Sequence, residues 1–454
     1  MDDAKRLWSA WQSLLMDFQP LFTRAGWVRF LDWVTGMVLC DEEHTITRIL
    51  TTLGRESQWR VAEAFAEYGA WDRQAVERRL FQTLEASAST RWGGYCVVAI
   101  DDTKGHRRTA GVWGTSVLHQ TSGRDRNRAK AVLAHNWVVM GRLVPGPPWT
   151  YLPCASRLYI RRKSLPAEET FFTKNNLAVA MLRQADRDAA ARLLAVIDGA
   201  FARANVLRPC LNPAPGERRI DFITRPRHDA RLYEPPLITK SSHGGRPRKW
   251  GQRLASPKNY EQWNVPRQRG RAYIYGRMRS FRYKRILVQW AVTGKDHLVH
   301  AYVFEVEGYR QPWYLISSAT DLCASQVVAG AAARFRQEDG FRDQKQRLGM
   351  EECRAWTKEP ILRTFQVQLV AQALLRLMEF RLDAAHGKDT WWSAPDWNPR
   401  KRHPSLLDLR RLFWRHRERF SQFMARLEDL AKPPQARFPR ERTLVQAAGN
   451  VRNH

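Results

Sequence analysis

A chain of 454 residues that is 44% hydrophobic, with 19 Trp and 19 Phe, is long enough for two or three cored domains and too apolar for a disordered one. Its 75 Lys and Arg against 45 Asp and Glu give a net charge of +30, which favours a polyanionic partner through counterion release and makes nucleic acid the expected one. Six scattered cysteines, an acidic N-terminus and the lack of any apolar run near the roughly 18 residues of a membrane span argue against a disulfide framework, a secretion signal and a membrane protein; a cytoplasmic location is expected.

Residues 3 to about 88 read as helices. Leu7, Trp11, Leu14, Leu15 and Phe18 recur at helical spacing, as do Trp27, Phe30, Leu31, Val34 and Val38. A third stretch carries Ile46, Ile49, Leu50 and Leu53, and a fourth is expected to start after Ser57 as N-cap. The pattern changes at Tyr95. Residues 96–100 (CVVAI) form a short apolar run ending in Asp101-Asp102, as expected of a buried strand that delivers carboxylates at its tip. Strands are expected at 132–143 and 149–156, a helix from about 167 to 188, and a second apolar strand at 193–197 running into Asp198. From about 218 to 318 the chain is strand-rich and basic: DFITR, AYIYGRM, RILVQWAV, HLVHAYVFEV and WYLISS. Helix returns at about 322–347 and again from Pro360 to about 383, and a linker leads to an amphipathic helix at 405–431. The tail after Pro433-Pro434 is expected to be disordered.

In the helix around 334–345, Arg334, Glu338 and Lys345 lie within roughly 40° of one another on one face. Spacing alone gives an exposed Arg–Glu pair one turn apart. The order Arg, three residues, Glu, six residues, Lys nevertheless resembles the signature around the last catalytic carboxylate of DDE transposases from bacterial insertion sequences. The continuation Phe341-Arg342-Asp343, Lys345 and Leu348-Gly349 matches it as well. The chain departs from that family at Ala331, where a Tyr is usual, and at Phe335 and Gln337, where Trp and Ile are common. Ile100-Asp101-Asp102-Thr103 resembles the first family motif, whose catalytic Asp directly precedes Thr, so the resemblance implies Asp102. Asp101 is the alternative and points to the opposite face of the strand. Residues 196–201 (VIDGAF) resemble the second motif and imply Asp198. The segment from Gly111 to Asn136, with Gln120 and Gly123, resembles the insertion-sequence family numbered 701.

The chemistry of phosphodiester transfer points to the same trio. In-line attack leaves charge on the attacking and the leaving oxygen, and two Mg ions, with Mn as a substitute, stabilise both; such hard cations take carboxylate ligands. The roles implied are that Asp102 bridges both ions while Asp198 and Glu338 each complete one site. The expected fold is α/β: a ribonuclease H-like mixed-sheet core interrupted by an inserted β-rich subdomain, with a helical N-terminal domain and C-terminal helices. The boundaries read as 1–90, 91–224, 225–318, 319–385 and 386–454.

Residues 267–285 interleave Arg and Lys with Tyr and Phe, which suits a strand-built surface gripping phosphates and stacking bases; a charged solvated face is the plainer alternative. DNA contacts are expected at Arg246, Arg248 and Lys249 in a basic loop, at Arg271, Arg277 and Arg279, and at Arg334 and Lys345 beside the carboxylates. The resemblance adds Trp263 or Trp250 as a holder of a flipped base. It implies a transposase acting on double-stranded DNA, at its element's ends and at a target, and pairing as a homodimer on DNA. A relative that binds DNA without cutting it is the alternative. A carboxylate-pair enzyme such as a glycosidase has no need of +30.

Overall fold

A computed structural model describes residues 3–87, 91–119, 131–146, 148–236 and 249–431, with side chains to residue 425. Five helices open the chain: α1 (Asp3–Met16), α2 (Arg24–Leu39), α3 (Ile46–Thr52), α4 (Trp59–Tyr68) and α5 (Arg73–Ser87). The Thr23 hydroxyl caps α2 by accepting from the Gly26 amide at 3.1 Å. Ser57 caps nothing; it lies in a 3-10 turn, and α4 follows Gln58 with no side-chain cap.

Four strands follow, β1 (Cys96–His106), β2 (Ser116–His119), β3 (Ala131–Val144) and β4 (Thr150–Tyr159). Helix α6 (Lys174–Asp188), capped reciprocally by Thr173 and Asn176, leads to β5 (Leu193–Ile197), α7 (Ala204–Leu211) and β6 (Asp221–Thr224). Strands β7 (Leu232–Tyr233), β8 (Gln268–Ile274), β9 (Arg277–Trp290), β10 (Leu298–Val306) and β11 (Trp313–Ser317) come next. Residues 272–278, which read as one strand, are in fact the end of β8, a tight turn at Tyr275-Gly276 and the start of β9. The chain closes with α8 (Ala324–Ala333), α9 (Phe335–Arg347), α10 (Lys358–His386), α11 (Leu406–Trp414) and α12 (Arg417–Ala431). The helix expected over 322–347 is thus interrupted at Arg334, and that over 405–431 at Arg415-His416.

All eleven strands of the described residues belong to one sheet. At its centre β4, β3, β1, β5 and β6 lie side by side; β1, β5 and β6 are parallel, and β3 runs against both β1 and β4. This mixed order with one reversed strand, flanked by helices, is the ribonuclease H-like layout expected from the sequence. Strands β11, β10, β9 and β8 extend the same sheet beyond β6 as antiparallel neighbours.

Both faces of the central strands are buried, and their residues alternate between two cores. Val97 and Ala99 of β1 and Leu194 and Val196 of β5 pack with Val327 and Val328 of α8. Cys96, Val98 and Ile100, with Leu193, Ala195 and Ile197, share the other core with Met181 and Leu182 of α6. That parity decides where the carboxylates of β1, and the one just past β5, point.

Among the described residues no helix is long and apolar enough to cross a membrane, and all six cysteines are free thiols.

Candidate active site

Ile100 of β1 pairs with Ile197 of β5 in parallel register, so the next residues, Asp101 and Asp198, stand side by side, Asp198 just past the end of β5 and Asp101 within β1, still paired with Val139 of β3. Asp101 follows Val97 and Ala99, and Asp198 follows Leu194 and Val196, so both project toward the α8–α9 side. There they meet Arg334 and, one turn into α9, Glu338. The Arg334 guanidinium lies 2.7 Å from an Asp101 carboxylate oxygen, 3.6 Å from Glu338 and 3.9 Å from Asp198. Three carboxylates, one from within β1, one from just past β5 and one from α9, therefore surround a single positive group.

Asp101 is the most buried of the three, and one of its oxygens accepts from the Asp102 amide at 2.8 Å. Burial pushes its carboxyl up to about 6; Arg334 and the amide oppose that rise, while the charges of Asp198 and Asp102 add to it.

Asp102, the first acid expected from the motif, stands elsewhere. Its parity sends it to the α6 side, where Lys174 at the start of α6 approaches it at 2.7 Å. With the Asn136 amide oriented to suit its neighbours, its nitrogen donates to Asp102 at 3.0 Å and its oxygen accepts from Lys174 at 3.0 Å. The structure brings Asp198 and Glu338 together with Asp101, not with Asp102.

The helix that carries Glu338 is held by residues whose importance the motif did not convey. Gln337 is buried and donates to the Val139 carbonyl at 3.0 Å and to the Tyr151 hydroxyl at 3.3 Å, which pins α9 to β3 and β4. At this position the chain departs from the usual Ile, and the polar side chain earns its place by those two bonds. Lys345, two turns beyond Glu338, is half-buried; burial lowers its ammonium pKa, with Glu351 and Glu338 pulling the other way.

The other expected DNA contacts divide. Arg271 and Arg277 are exposed on the β8–β9 hairpin, and Lys249 is exposed as well. Arg279 is half-buried, stacked over the Tyr309 ring at 5.2 Å and donating to the Glu307 carbonyl at 3.1 Å. Trp263 is only 2% exposed, and its indole nitrogen donates to the Ala255 carbonyl at 2.9 Å; it is a core residue and presents no face to a ligand. Trp250 packs against Tyr233 at 4.9 Å. Arg246 and Arg248 lie outside the described residues.

The family model for DDE superfamily endonucleases matches residues 17–284, more than half of the chain, and the match takes in Asp101 and Asp198. The chain belongs to the DDE superfamily endonucleases. No curated protein matches the sequence. Among the described residues no three His, Cys, Asp or Glu side chains close tightly on a common point, because the guanidinium of Arg334 stands among the acids. A set made only of carboxylate oxygens has the donor chemistry that hard divalent cations take.

Proposed function

We propose that this DDE endonuclease is the transposase of a bacterial insertion sequence, resembling family 701, that cuts at its element's ends and joins them to target DNA. The observation carrying the proposal is the convergence of Asp101, Asp198 and Glu338 on Arg334. In this reading Asp101, rather than Asp102, is the first carboxylate. Asp101, Asp198 and Glu338 would hold two divalent ions, Mg or Mn, which when bound neutralise charge on the attacking and leaving oxygens.

The chain's own residues supply position. Asp101 and Asp198 hold their places through the β1–β5 register, and Gln337 fixes the helix that presents Glu338. Arg334 and Lys345 line the same side as donors for non-bridging phosphate oxygens, Arg334 with the planar fork that suits phosphate. Asp102, Lys174 and Asn136 brace this part of β1 from behind. The proposed partner is double-stranded DNA, bound by a homodimer that pairs two element ends within the bacterial nucleoid; the +30 charge supports an anionic partner.

The test compares Asp101→Ala, Asp198→Ala, Glu338→Ala and Asp102→Asn on end-sequence DNA with Mg or Mn. The first three should retain binding and lose cleavage on the order of a thousandfold, because several kcal/mol of transition-state stabilisation goes with each ligand. Asp102→Asn, which keeps a hydrogen-bonding group against Asn136 and Lys174, should cut within about tenfold of wild type. If Asp102→Asn is inactive while Asp101→Ala still cuts, the assignment of the first acid is reversed. If the wild type binds ends and never cuts, the DNA-binding relative is the correct reading.

A further inference from the structure

Arg334 stands at the break between α8 and α9, and among the described residues its guanidinium is the one positive group ion-paired with Asp101, Asp198 and Glu338. Its hold on them is uneven. The contact to Asp101, at 2.7 Å, is a hydrogen bond, whereas Glu338 at 3.6 Å and Asp198 at 3.9 Å are held by charge alone. The side chain is 22% exposed, so it reaches solvent and has room to turn outward.

A guanidinium in this position has two effects. It screens the mutual repulsion of the acids, so they stay converged with no other cation among them. It also excludes another cation, because an ion taken up by the same oxygens would lie close to a like charge. The carboxylates therefore have two competing kinds of counterion, and the balance between them depends on what else Arg334 can bind. A phosphate is the stronger lure, since it accepts two parallel hydrogen bonds from the arginine fork where Asp101 accepts one. Arg336, two residues on, makes the contrast: it pairs with Asp339 at 3.1 Å and with none of the three acids.

We propose that Arg334 is a positioning residue that gathers the three carboxylates while blocking divalent ions, and that a DNA phosphate opens the site by drawing the guanidinium away. Metal and DNA then bind cooperatively, each tightening the other by the same factor. This rests on the reading of the chain as a DNA-cutting enzyme whose three acids hold metal, and the block itself is tested without DNA.

Mn affinity is measured by titration calorimetry, first on the DNA-free protein. Arg334→Gln should bind Mn at least about tenfold more tightly than wild type. It should also melt below wild type in EDTA and gain more from added Mn, because its carboxylates have lost their shared counterion. Arg336→Gln removes the same charge from the same turn of helix and should stay within about threefold of wild type. A duplex that ends at the element terminus, with no bond left to cut, should tighten Mn binding to wild type at least about tenfold and to Arg334→Gln by less. Equal Mn affinity of wild type and Arg334→Gln overturns the proposal. So does an equal gain in Arg336→Gln, which would mean that net charge alone decides. Should Arg334→Gln fail to fold, wild type decides: Mn bound as tightly without the duplex as with it overturns the proposal. A duplex that does not bind at all overturns the transposase reading, and the DNA-free comparison still judges the block.

Discussion

His135 is fully buried on β3, with its Nδ1 facing the Arg107 Nε at 2.9 Å and its Nε2 facing the Trp113 carbonyl at 2.8 Å. Arg107 donates through Nε, so Nδ1 must accept, and the proton sits on Nε2 where it bonds Trp113: the imidazole is neutral. Burial, and then the Arg107 charge, lower its pKa to about 4. Above pH 6.5 the ring is neutral whether folded or unfolded, and the full stability is present. As pH falls below 6.5 the unfolded chain takes up a proton that the folded one refuses, so stability drains away until about pH 4, where the folded ring is protonated too. The loss is as much as about 3 kcal/mol. Urea midpoints measured from pH 7.5 to 4 should therefore fall more steeply for wild type than for His135→Gln, and parallel curves would remove His135 from the account.

The pair Asp101-Asp102 shows at the same scale what a sequence can convey. That two acids follow a buried apolar strand run was legible; that β1 continues through them to His106 was not, because an apolar run that stops at Asp101-Asp102 reads as a strand end. Which one faces the last carboxylate was not legible either: both faces of β1 are apolar, so no polar alternation marks the side on which α9 packs. The motif pointed to Asp102, and the β1–β5 register points to Asp101.

At the scale of elements, the helix bearing Glu338 was legible from its Arg, Glu and Lys spacing, whereas its anchoring was not. Gln337 reads as a surface residue, and only the packing of α9 on β3 and β4 puts it in the interior. The β8–β9 turn was hidden for a related reason. Tyr275 has strand propensity, and the single Gly276 was too weak a signal against it. Gly340 shows how closely α9 is seated. A Cβ there would stand 2.5 Å from the Tyr151 ring and 3.5 Å from the Gln372 amide nitrogen. Alanine normally favours a helix interior over glycine by up to about 1 kcal/mol, but overpacking a buried site costs about 1–3 kcal/mol and prevails here. Gly340→Ala should thus lower stability by about 1–2 kcal/mol and push α9 outward, moving Glu338. On the proposed role of Glu338, the expected signature is cleavage reduced at least about tenfold with DNA affinity retained, since a small misplacement of a catalytic group is costly. Unchanged cleavage would mean that α9 has more freedom than its packing implies.

Across the whole molecule, α10 stands at the centre, packed against β4 on one side and against α1, α2, α4, α5 and α11 on the others. The N-terminal and C-terminal helices share one core: Trp8 meets Phe420 at 5.4 Å and Phe423 at 5.6 Å, and Trp11 meets Phe413 at 5.2 Å. Arg410 ties this core to the candidate active site. From α11 its buried guanidinium donates to the Val38 carbonyl at 3.0 Å, to the Cys40 carbonyl beyond α2 and to the Arg347 carbonyl at the end of α9, and it stacks over Trp414 at 4.8 Å. Burial lowers its pKa to about 10, so the side chain stays protonated at neutral pH and its charge is spread over those carbonyl dipoles. Arg410→Met fills similar space and leaves three carbonyls without their donor, at about 1–3 kcal/mol for each one kept from water. A total loss of about 3–5 kcal/mol is expected in chemical denaturation. Lysine should not rescue it, because one ammonium cannot span three acceptors that a planar fork reaches together. Because the same side chain reaches α2, α11 and α9, the variant should shift helical ellipticity and tryptophan fluorescence together, as one transition. If the N-terminal helices instead melt first and leave a second transition at the wild-type midpoint, α9 and the sheet draw no stability from Arg410, and the clamp is local to the helices.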